Sequence, residues 1–424
     1  MGKKCIKVGI IGFGTVGGGV AACLLGNRRV IREKTGLDLD VSWIGDIDIV
    51  KDRGVKVPRK LLTTDCDAVI RDSDIVVELV GGTTAAKDYM LKAMRMGKHV
   101  VTANKALLAT AGDELFDAAG RYKVDLYFEA SVGGGIPIIK ALREGFAADR
   151  ITEIKGILNG TCNYILTRME KEKLPFDEIL RDAQRLGYAE ADPTFDIDGI
   201  DTAHKTAILA SLGFGGWLGM DPIHIEGIRG VTLKDVMLSG KAGYRIKLLS
   251  VIKEIDGSLE ARVSPALVDR STILADVLDV FNGICIDGIP IGRTMFYGRG
   301  AGRQATSSAV VADIIDIGLN MTFGARRRIF SYRRKRLYSK VLRFSETSSR
   351  YYVRVTADRP AEAMGEIEAV FTANSIKVDR ILRDRNDIVF LTAASKEKKI
   401  SRAFSRISGL RCIKDSAKIR IEEF

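Results

Sequence analysis

Between Gly187 and Lys205 the chain sets five carboxylates, Glu190, Asp192, Asp196, Asp198 and Asp201, ahead of a single lysine. Such a density of acids could hold calcium, but the EF-hand spacing is absent and no glutamate closes the loop. Proton transfer is the better account. Asp201 and Lys205 stand four residues apart in a segment, 200–212, whose apolar pattern is helical, so they share a face. Ile208, Leu209 and Leu212 continue that face and set Lys205 in apolar surroundings. Burial presses an ammonium to lose its proton, and a neighbouring aspartate presses it to keep it. To exchange a proton near neutrality a lysine must come down from ~10.4, at ~1.4 kcal/mol per unit. The plainer alternative is an exposed ion pair.

Gly12-Phe13-Gly14-Thr15-Val16-Gly17 spells GxGxxG directly after an apolar run and at the opening of a helical pattern. The first glycine permits a tight turn, the second lets a pyrophosphate approach the backbone, and the third lets helix pack on strand. The helix start then offers free N–H groups to the phosphates. A dinucleotide is the expected ligand. Asp46, after the second strand, is placed to meet a ribose 2′-hydroxyl, with Asp48 as the fallback; Lys51 and Arg53 just beyond could neutralise a 2′-phosphate instead, and Asp46 could merely cap its turn. Two further strands end in Glu78-Leu79-Val80-Gly81-Gly82-Thr83 and Thr102-Ala103-Asn104-Lys105. Strand C-termini line the ligand crevice of such sheets, which gives Gly81, Gly82, Thr83 and Lys105 a place beside the cofactor; a solvated Lys105 is the alternative.

These residues need elements to hold them. Strands at 6–11, 41–44, 75–80, 99–102 and 126–130 alternate with helical patterns at 16–25 and around 113–121, as a parallel sheet demands. Strand 153–158, helices 163–171, 176–186 and 200–212, and strands 247–254 and 259–263 make the next portion α+β. A helix at 306–317 returns to the first domain. The last ~75 residues read strand 351–356, helix 360–373, strands 377–382 and 388–392, helix 396–407 and strand 417–421, a ferredoxin-like βαββαβ order. The expected fold class is α/β: a Rossmann-type doubly wound sheet (1–135, with 301–320), an α+β catalytic and dimerisation domain (136–300), a basic linker (321–348) and the C-terminal βαββαβ domain (349–424).

A chain of 424 residues that is 46% apolar and 28% charged can bury several cores. The N-terminus lacks a signal-peptide layout, and no stretch approaches the ~20 apolar residues of a membrane span. Six scattered cysteines without a CxxC pair, beside three histidines, argue against disulfides and zinc and fit a reduced cytoplasm. The net charge of +12 owes much to one run, with Arg326, Arg327, Arg328, Arg333, Arg334, Lys335, Arg336, Lys340 and Arg343 in a stretch without acids. A solvated linker is expected there; no nucleic-acid module surrounds it, so nucleic acid is not the expected partner.

The run Ala183, Gly187, Tyr188, Ala189, Asp192, Pro193, Asp196, Ile197, Gly199, Asp201, Lys205 closely resembles the signature of the homoserine dehydrogenases. The glycine loop, 77–82, 102–105, 129–137 and 157–164 match in order, so the resemblance spans 6–320. It implies interconversion of L-aspartate 4-semialdehyde and L-homoserine, in the biosynthesis of threonine, methionine and isoleucine. Lys205 would be the proton donor and acceptor, Asp201 its tuning partner and Lys105 a catalytic, cofactor-side lysine. Glu190 would bind the substrate ammonium, with Asp196, Asn159 and Thr161 also substrate-binding, and Gly302 would join the cofactor set. Glu129, with Val132, Gly134 and Ile136, resembles a sodium site, although the same loop also reads as a glycine hinge. Gly45 stands where NADP-preferring members often place arginine, which favours NAD over NADP. The C-terminal order resembles an ACT domain, implying an amino-acid effector, and the family's contact around 243–300 implies a homodimer or tetramer. Two rivals stand beside this. One is a semialdehyde dehydrogenase acting through a cysteine thiohemiacetal, for which Cys162 is the only cysteine near a motif. The other is a catalytically silent amino-acid sensor that binds a partner or nucleic acid through its basic run.

Overall fold

The computed structural model describes residues 5–325 and 335–424. Two compact units emerge: residues 1–151, 207–220 and 287–337 in one, and residues 152–206, 221–286 and 338–424 in the other.

The first stretch of chain alternates as its pattern requires: β1 (Ile6–Ile11), α1 (Thr15–Gly26), α2 (Arg28–Thr35), β2 (Leu39–Gly45), β3 (Leu62–Thr63), α3 (Cys66–Arg71), β4 (Ile75–Glu78), α4 (Thr84–Arg95), β5 (His99–Thr102), α5 (Lys105–Tyr122) and β6 (Leu126–Tyr127). Every residue of β4 and β5 is buried, and in β1 only Lys7 is exposed, so these strands are covered on both faces. The sheet is parallel in the order β3-β2-β1-β4-β5-β6. Its order reverses between β1 and β4, and the crevice for a ligand opens at their C-terminal ends. The expected strand 126–130 stops at Tyr127. There the Glu129 N–H donates to the Asp313 carboxylate at 2.7 Å, and the chain leaves the sheet in a 3-10 turn, Glu129–Ser131.

The chain continues through α6 (Ile138–Lys140), β7 (Arg150–Ile157), α7 (Gly160–Glu172), α8 (Phe176–Arg185), α9 (Thr194–Ile197), α10 (Ile200–Phe214), β8 (His224–Ile225), α11 (Leu233–Ala242), β9 (Tyr244–Ile255), β10 (Ser258–Asp269), β11 (Phe281–Ile289) and β12 (Gly292–Arg299). Neither β11 nor β12 was expected: their mixed polar and glycine composition hides the alternation on which strand reading depends. The returning helix, α12 (Arg303–Thr322), is longer than its apolar pattern suggested and packs Val310, Ile314 and Ile317 into the core of the first unit.

Of the basic run, residues 326–334 lie outside the described residues. Beyond them, the backbone at Lys340 and Leu342 bonds to Leu259 of β10, and the Lys340 ammonium stands 4.0 Å from Glu346. Residues 340–342 are thus laid along a strand.

The last module runs β13 (Ser348–Ala357), α13 (Pro360–Ala373), β14 (Val378–Asp384), β15 (Asp387–Thr392), β16 (Ser395–Lys396), α14 (Glu397–Ser408) and β17 (Ile413–Glu422). Apart from the short β16, this is the βαββαβ order read from the sequence. Its strands are not a separate sheet: the second unit carries one sheet in the order β11-β7-β9-β10-β17-β13-β15-β14. The junction is parallel, with Ala266, Leu267 and Val268 opposite Arg420, Ile421 and Glu422.

Charge is buried at that junction. Arg262, 2% exposed, donates to Glu260 at 2.7 Å and Ser264 at 2.8 Å and pairs with Glu422. Arg420 bonds Glu397 at 2.7 Å and Thr347 at 2.8 Å. Buried charges of this kind are costly to leave alone. Replacing Arg262 by Ala leaves Glu260 to Arg420 at 3.4 Å and Glu422 to Lys155 at 3.9 Å and should lower the unfolding free energy by about 3 kcal/mol, read as a fall in the urea midpoint; an unmoved midpoint would contradict this account of the junction.

Candidate active site

In the first unit, the glycine turn has the geometry of a phosphate cradle. Gly12 holds φ +101°, and a Cβ there would stand 2.5 Å from the Leu79 carbonyl oxygen. At Gly17 a Cβ would stand 1.8 Å from the Gly12 carbonyl oxygen, whereas at Gly14 it would meet nothing within 4 Å. Two of the glycines are therefore required by packing and the third faces open space, where a pyrophosphate fits. Thr15, Val16 and Gly17 open α1, and Phe13 is buried at the turn. The Phe13 N–H donates to Asp46 at 2.6 Å, and an Arg53 guanidinium nitrogen lies 3.5 Å from the same carboxylate. A Cβ at Gly45 would approach Val69 to 3.0 Å and Cys66 to 3.4 Å, so a side chain there would require both neighbours to give slightly.

Across the crevice, Glu78 is fully buried at the end of β4. Its carboxylate accepts the Thr102 hydroxyl at 2.6 Å and the Val80 N–H at 2.7 Å, and burial pushes it up to about 7. Asn104 caps α5 by accepting the Leu107 N–H and donates to the Gly82 carbonyl at 2.7 Å. Glu78 and Asn104 thereby fasten the Gly81-Gly82-Thr83 loop to the start of α5, whose first residue is the half-buried Lys105. Sequence reading passed over Glu78 and Asn104 because each sat inside a motif read for its glycines and lysine. Gly302, at φ +112°, precedes α12, and a Cβ there would also meet open space.

Glu129 is 5% exposed. Its two carboxylate oxygens accept the Ile139 and Lys140 N–H groups at 2.9 and 2.7 Å, and burial pushes it up to about 7. Gly134, at φ +56°, is crowded by the backbone of Gly300, where a Cβ would stand 2.6 Å away, and the Gly135 N–H donates to the Arg299 carbonyl. With Val132 and Ile136 buried around it, the loop offers one carboxylate and backbone carbonyls, a donor set suited to a hard cation. Among the described residues no group of three or more histidine, cysteine or acidic side chains could hold a metal.

In the second unit, Lys205 and Asp201 are 8% and 5% exposed on α10. The ammonium donates to Asp201 Oδ2 at 2.7 Å and to the Leu158 carbonyl at 2.6 Å. The bland alternative of an exposed pair is thus excluded. A protonated lysine has three N–H groups, and the third has no partner among the described residues. Leu158 lies just past β7 and was not singled out by sequence reading, since a backbone acceptor leaves no trace in residue type.

Asn159 follows it, 4% exposed, with every polar atom committed: Oδ1 caps α7 by accepting the Cys162 N–H at 2.8 Å, and Nδ2 donates to Asp196 Oδ1 at 2.7 Å and Asp201 Oδ2 at 2.9 Å. The Thr161 hydroxyl donates to the Tyr188 carbonyl at 2.7 Å. Asp196 is half-buried, and burial raises its carboxyl above the usual range. Glu190 lies exposed on the loop before α9. Asp192 turns back to the Thr194 N–H at 3.1 Å, and Asp198 pairs with Arg229. The five acids therefore divide: Asp196 and Asp201 converge on the lysine cluster, and the others do not.

Cys162 is fully buried, its thiol donates to the Asp196 carbonyl at 3.2 Å, and burial, then Asp196, holds it well above its ordinary value. Such a thiol is a poor nucleophile, which disfavours the thiohemiacetal rival. Cys162→Ala should keep turnover within about threefold, since free buried cysteine packs as a small hydrophobe; loss of all turnover in a folded variant would revive that rival.

Family models agree with these positions. Residues 12–129 match the model described as homoserine dehydrogenase, NAD binding domain, and residues 137–315 match that described as homoserine dehydrogenase. The chain is 40% identical to a homoserine dehydrogenase of Neisseria gonorrhoeae, with 99% of each chain covered, and 36% identical to one of Bacillus subtilis, with 97% of each covered. It superposes on the crystal structure of a homoserine dehydrogenase from Thiobacillus denitrificans with a TM-score of 0.94 at 39% identity, covering 99% of both chains. A hyperthermophilic archaeal homoserine dehydrogenase in complex with NADPH matches 75% of the chain and 98% of its own length, at a TM-score of 0.62 and 27% identity.

Proposed function

Because the chain belongs to the homoserine dehydrogenase family, NAD(P)-dependent oxidoreductases that interconvert L-aspartate 4-semialdehyde and L-homoserine, we propose that Lys205 is its acid and base. The observation that carries this is the committed geometry of its amine. Two N–H groups, held by Asp201 and the Leu158 carbonyl, fix the nitrogen in space. Only the third site is left for chemistry. When the amine is neutral, that site is a lone pair and accepts the homoserine hydroxyl proton; when charged, it is an N–H that delivers a proton to the oxygen forming on the semialdehyde. The same two bonds survive in both states, so no rearrangement accompanies proton exchange.

The bound dinucleotide supplies or takes up the hydride. Gly12, Phe13, Gly14, Thr15, Val16 and Gly17 cradle its pyrophosphate; Gly81, Gly82, Thr83, Lys105 and Gly302 line its nicotinamide side. Lys105 adds positive charge where the substrate oxygen becomes negative. Asp46, after a glycine rather than an arginine, favours NAD over NADP, with Arg53 beside it able to meet a 2′-phosphate. Glu190 and Asp196 offer carboxylates to the substrate ammonium. Glu129 with the carbonyls of Val132, Gly134 and Ile136 would hold a sodium ion that keeps the buried carboxylate charged and the loop ordered. The C-terminal βαββαβ module is proposed to be ACT-like and to bind an amino-acid effector, the enzyme to work as a homodimer or tetramer, and its compartment to be the reducing cytoplasm, in keeping with six cysteines scattered without a CxxC pair. Among the described residues no helix is long and apolar enough to cross a membrane.

Two measurements test this reading. Lys205→Ala should lower kcat for homoserine oxidation by about 10²–10⁴-fold, the usual worth of a general base, while the Kd for NADH, read by fluorescence quenching, changes less than threefold. Near-normal turnover would end the assignment. In steady-state assays kcat/KM should be higher with NAD than with NADP, and Asp46→Ala should narrow that ratio; a wild-type preference for NADP would overturn the cofactor reading.

A further inference from the structure

The strongest unassigned feature is the side chain that joins the two carboxylates of the lysine cluster. We propose that Asn159 is a positioning residue: its amide bridges Asp196 and Asp201 and so fixes where Asp201 holds the Lys205 amine. This rests on the reading of Lys205 given above.

Asp196 comes from α9 and Asp201 from α10, and the Asn159 Nδ2 group donates one hydrogen to each, at 2.7 and 2.9 Å. The orientation of this amide is not arbitrary. Its Oδ1 accepts the Cys162 N–H at 2.8 Å, and exchanging O and N would aim an oxygen at two carboxylates and an NH2 group at a backbone N–H. The side chain therefore has one way to sit. Asp201 Oδ2 receives both this amide hydrogen and the Lys205 ammonium, so a single oxygen is the point through which Asn159 acts on the lysine.

Only an amide supplies this combination without adding charge. The amide meets Asp196 on α9, Asp201 on α10 and the Cys162 N–H on α7; Lys205 and, farther out, Asp198 are the other charges around the neighbouring Cys162 thiol, and Asp198 is paired with Arg229. Burial, and then the charge of Asp201, raises the cost of ionising Asp196. The bridge lowers that cost with two hydrogen bonds to the charged forms. A residue with this much committed to the protein has no donor left for substrate, which separates positioning from the substrate-binding role that the resemblance implied.

Two variants isolate the bridge from the helix cap, because serine and aspartate both cap helices well. Asn159→Ser keeps an acceptor for Cys162 and loses the paired donors; Asn159→Asp keeps shape and cap but turns donors into an acceptor with charge. The full-length enzyme is assayed for homoserine oxidation across pH, with NADH binding as the check of folding and Lys205→Ala alongside. Asn159→Ser should lose about tenfold in kcat with the KM for homoserine within threefold. Asn159→Asp should lose about 100-fold. The added negative charge holds the proton on the amine, and oxidation needs the amine neutral, so its rate should rise only at higher pH than in wild type. Two results would overturn the proposal: kcat and pH profile unchanged in both variants, or a loss carried wholly by the KM for homoserine. Failure of the parent reading looks different, since Lys205→Ala would then retain turnover.

Discussion

The account depends on a lysine ammonium taken out of water and held by one carboxylate and one backbone carbonyl. An isolated charge in such a place costs several kcal/mol, and Lys205 is stable there because Asp201 and Leu158 replace the water it lost. The same replacement limits its freedom. An exposed lysine samples many rotamers, whereas this one presents its remaining site in one direction. Helix and strand are both needed: Asp201 and Lys205 are aligned by the pitch of α10, and the Leu158 carbonyl is aimed by the end of β7.

That strand belongs to a sheet which continues without a break into the C-terminal module, through the β10 and β17 pairing and the buried Arg262, Glu260 and Glu422 group. Lys155, midway along β7, is itself buried against Glu153 and the Glu423 carbonyl near the chain terminus. The module that resembles a regulatory domain is therefore a structural part of the sheet that aims the Leu158 carbonyl. Any effector bound to that module would act on a body already joined to the lysine cluster by backbone hydrogen bonds.

Much of this was legible in the residues. Alternation of buried runs with helical patterns gave the parallel sheet, and the βαββαβ order of the last module was read from its apolar runs, although β13 begins at Ser348 and β17 at Ile413, ahead of the apolar residues that marked them. The glycines of the first turn were legible because a missing side chain has a steric meaning, and Asp201 with Lys205 because helical pitch is regular. What escaped has physical causes too. The Leu158 carbonyl exists in every residue and marks no sequence. Asn159 looked like one polar residue in a motif, since its two carboxylate partners lie 37 and 42 positions away. The hairpin strands β11 and β12 escaped because glycine and charged residues interrupt their period, and β6 was drawn too long because the apolar run through Tyr127 and Phe128 leads into the turn at Glu129–Ser131, whose first N–H is held by Asp313. Of the five acids in one short segment, helical pitch singled out Asp201, and only folding showed that Asp196 joins it through Asn159.

The most direct test is a crystal structure of the enzyme with its oxidised cofactor and homoserine. The account predicts the Lys205 nitrogen about 3 Å from the substrate hydroxyl, still bonded to Asp201 and the Leu158 carbonyl. The carbon bearing that hydroxyl should lie about 3–3.5 Å from the nicotinamide ring. A substrate hydroxyl seated on another side chain, with the Lys205 amine turned away from it, would contradict the account.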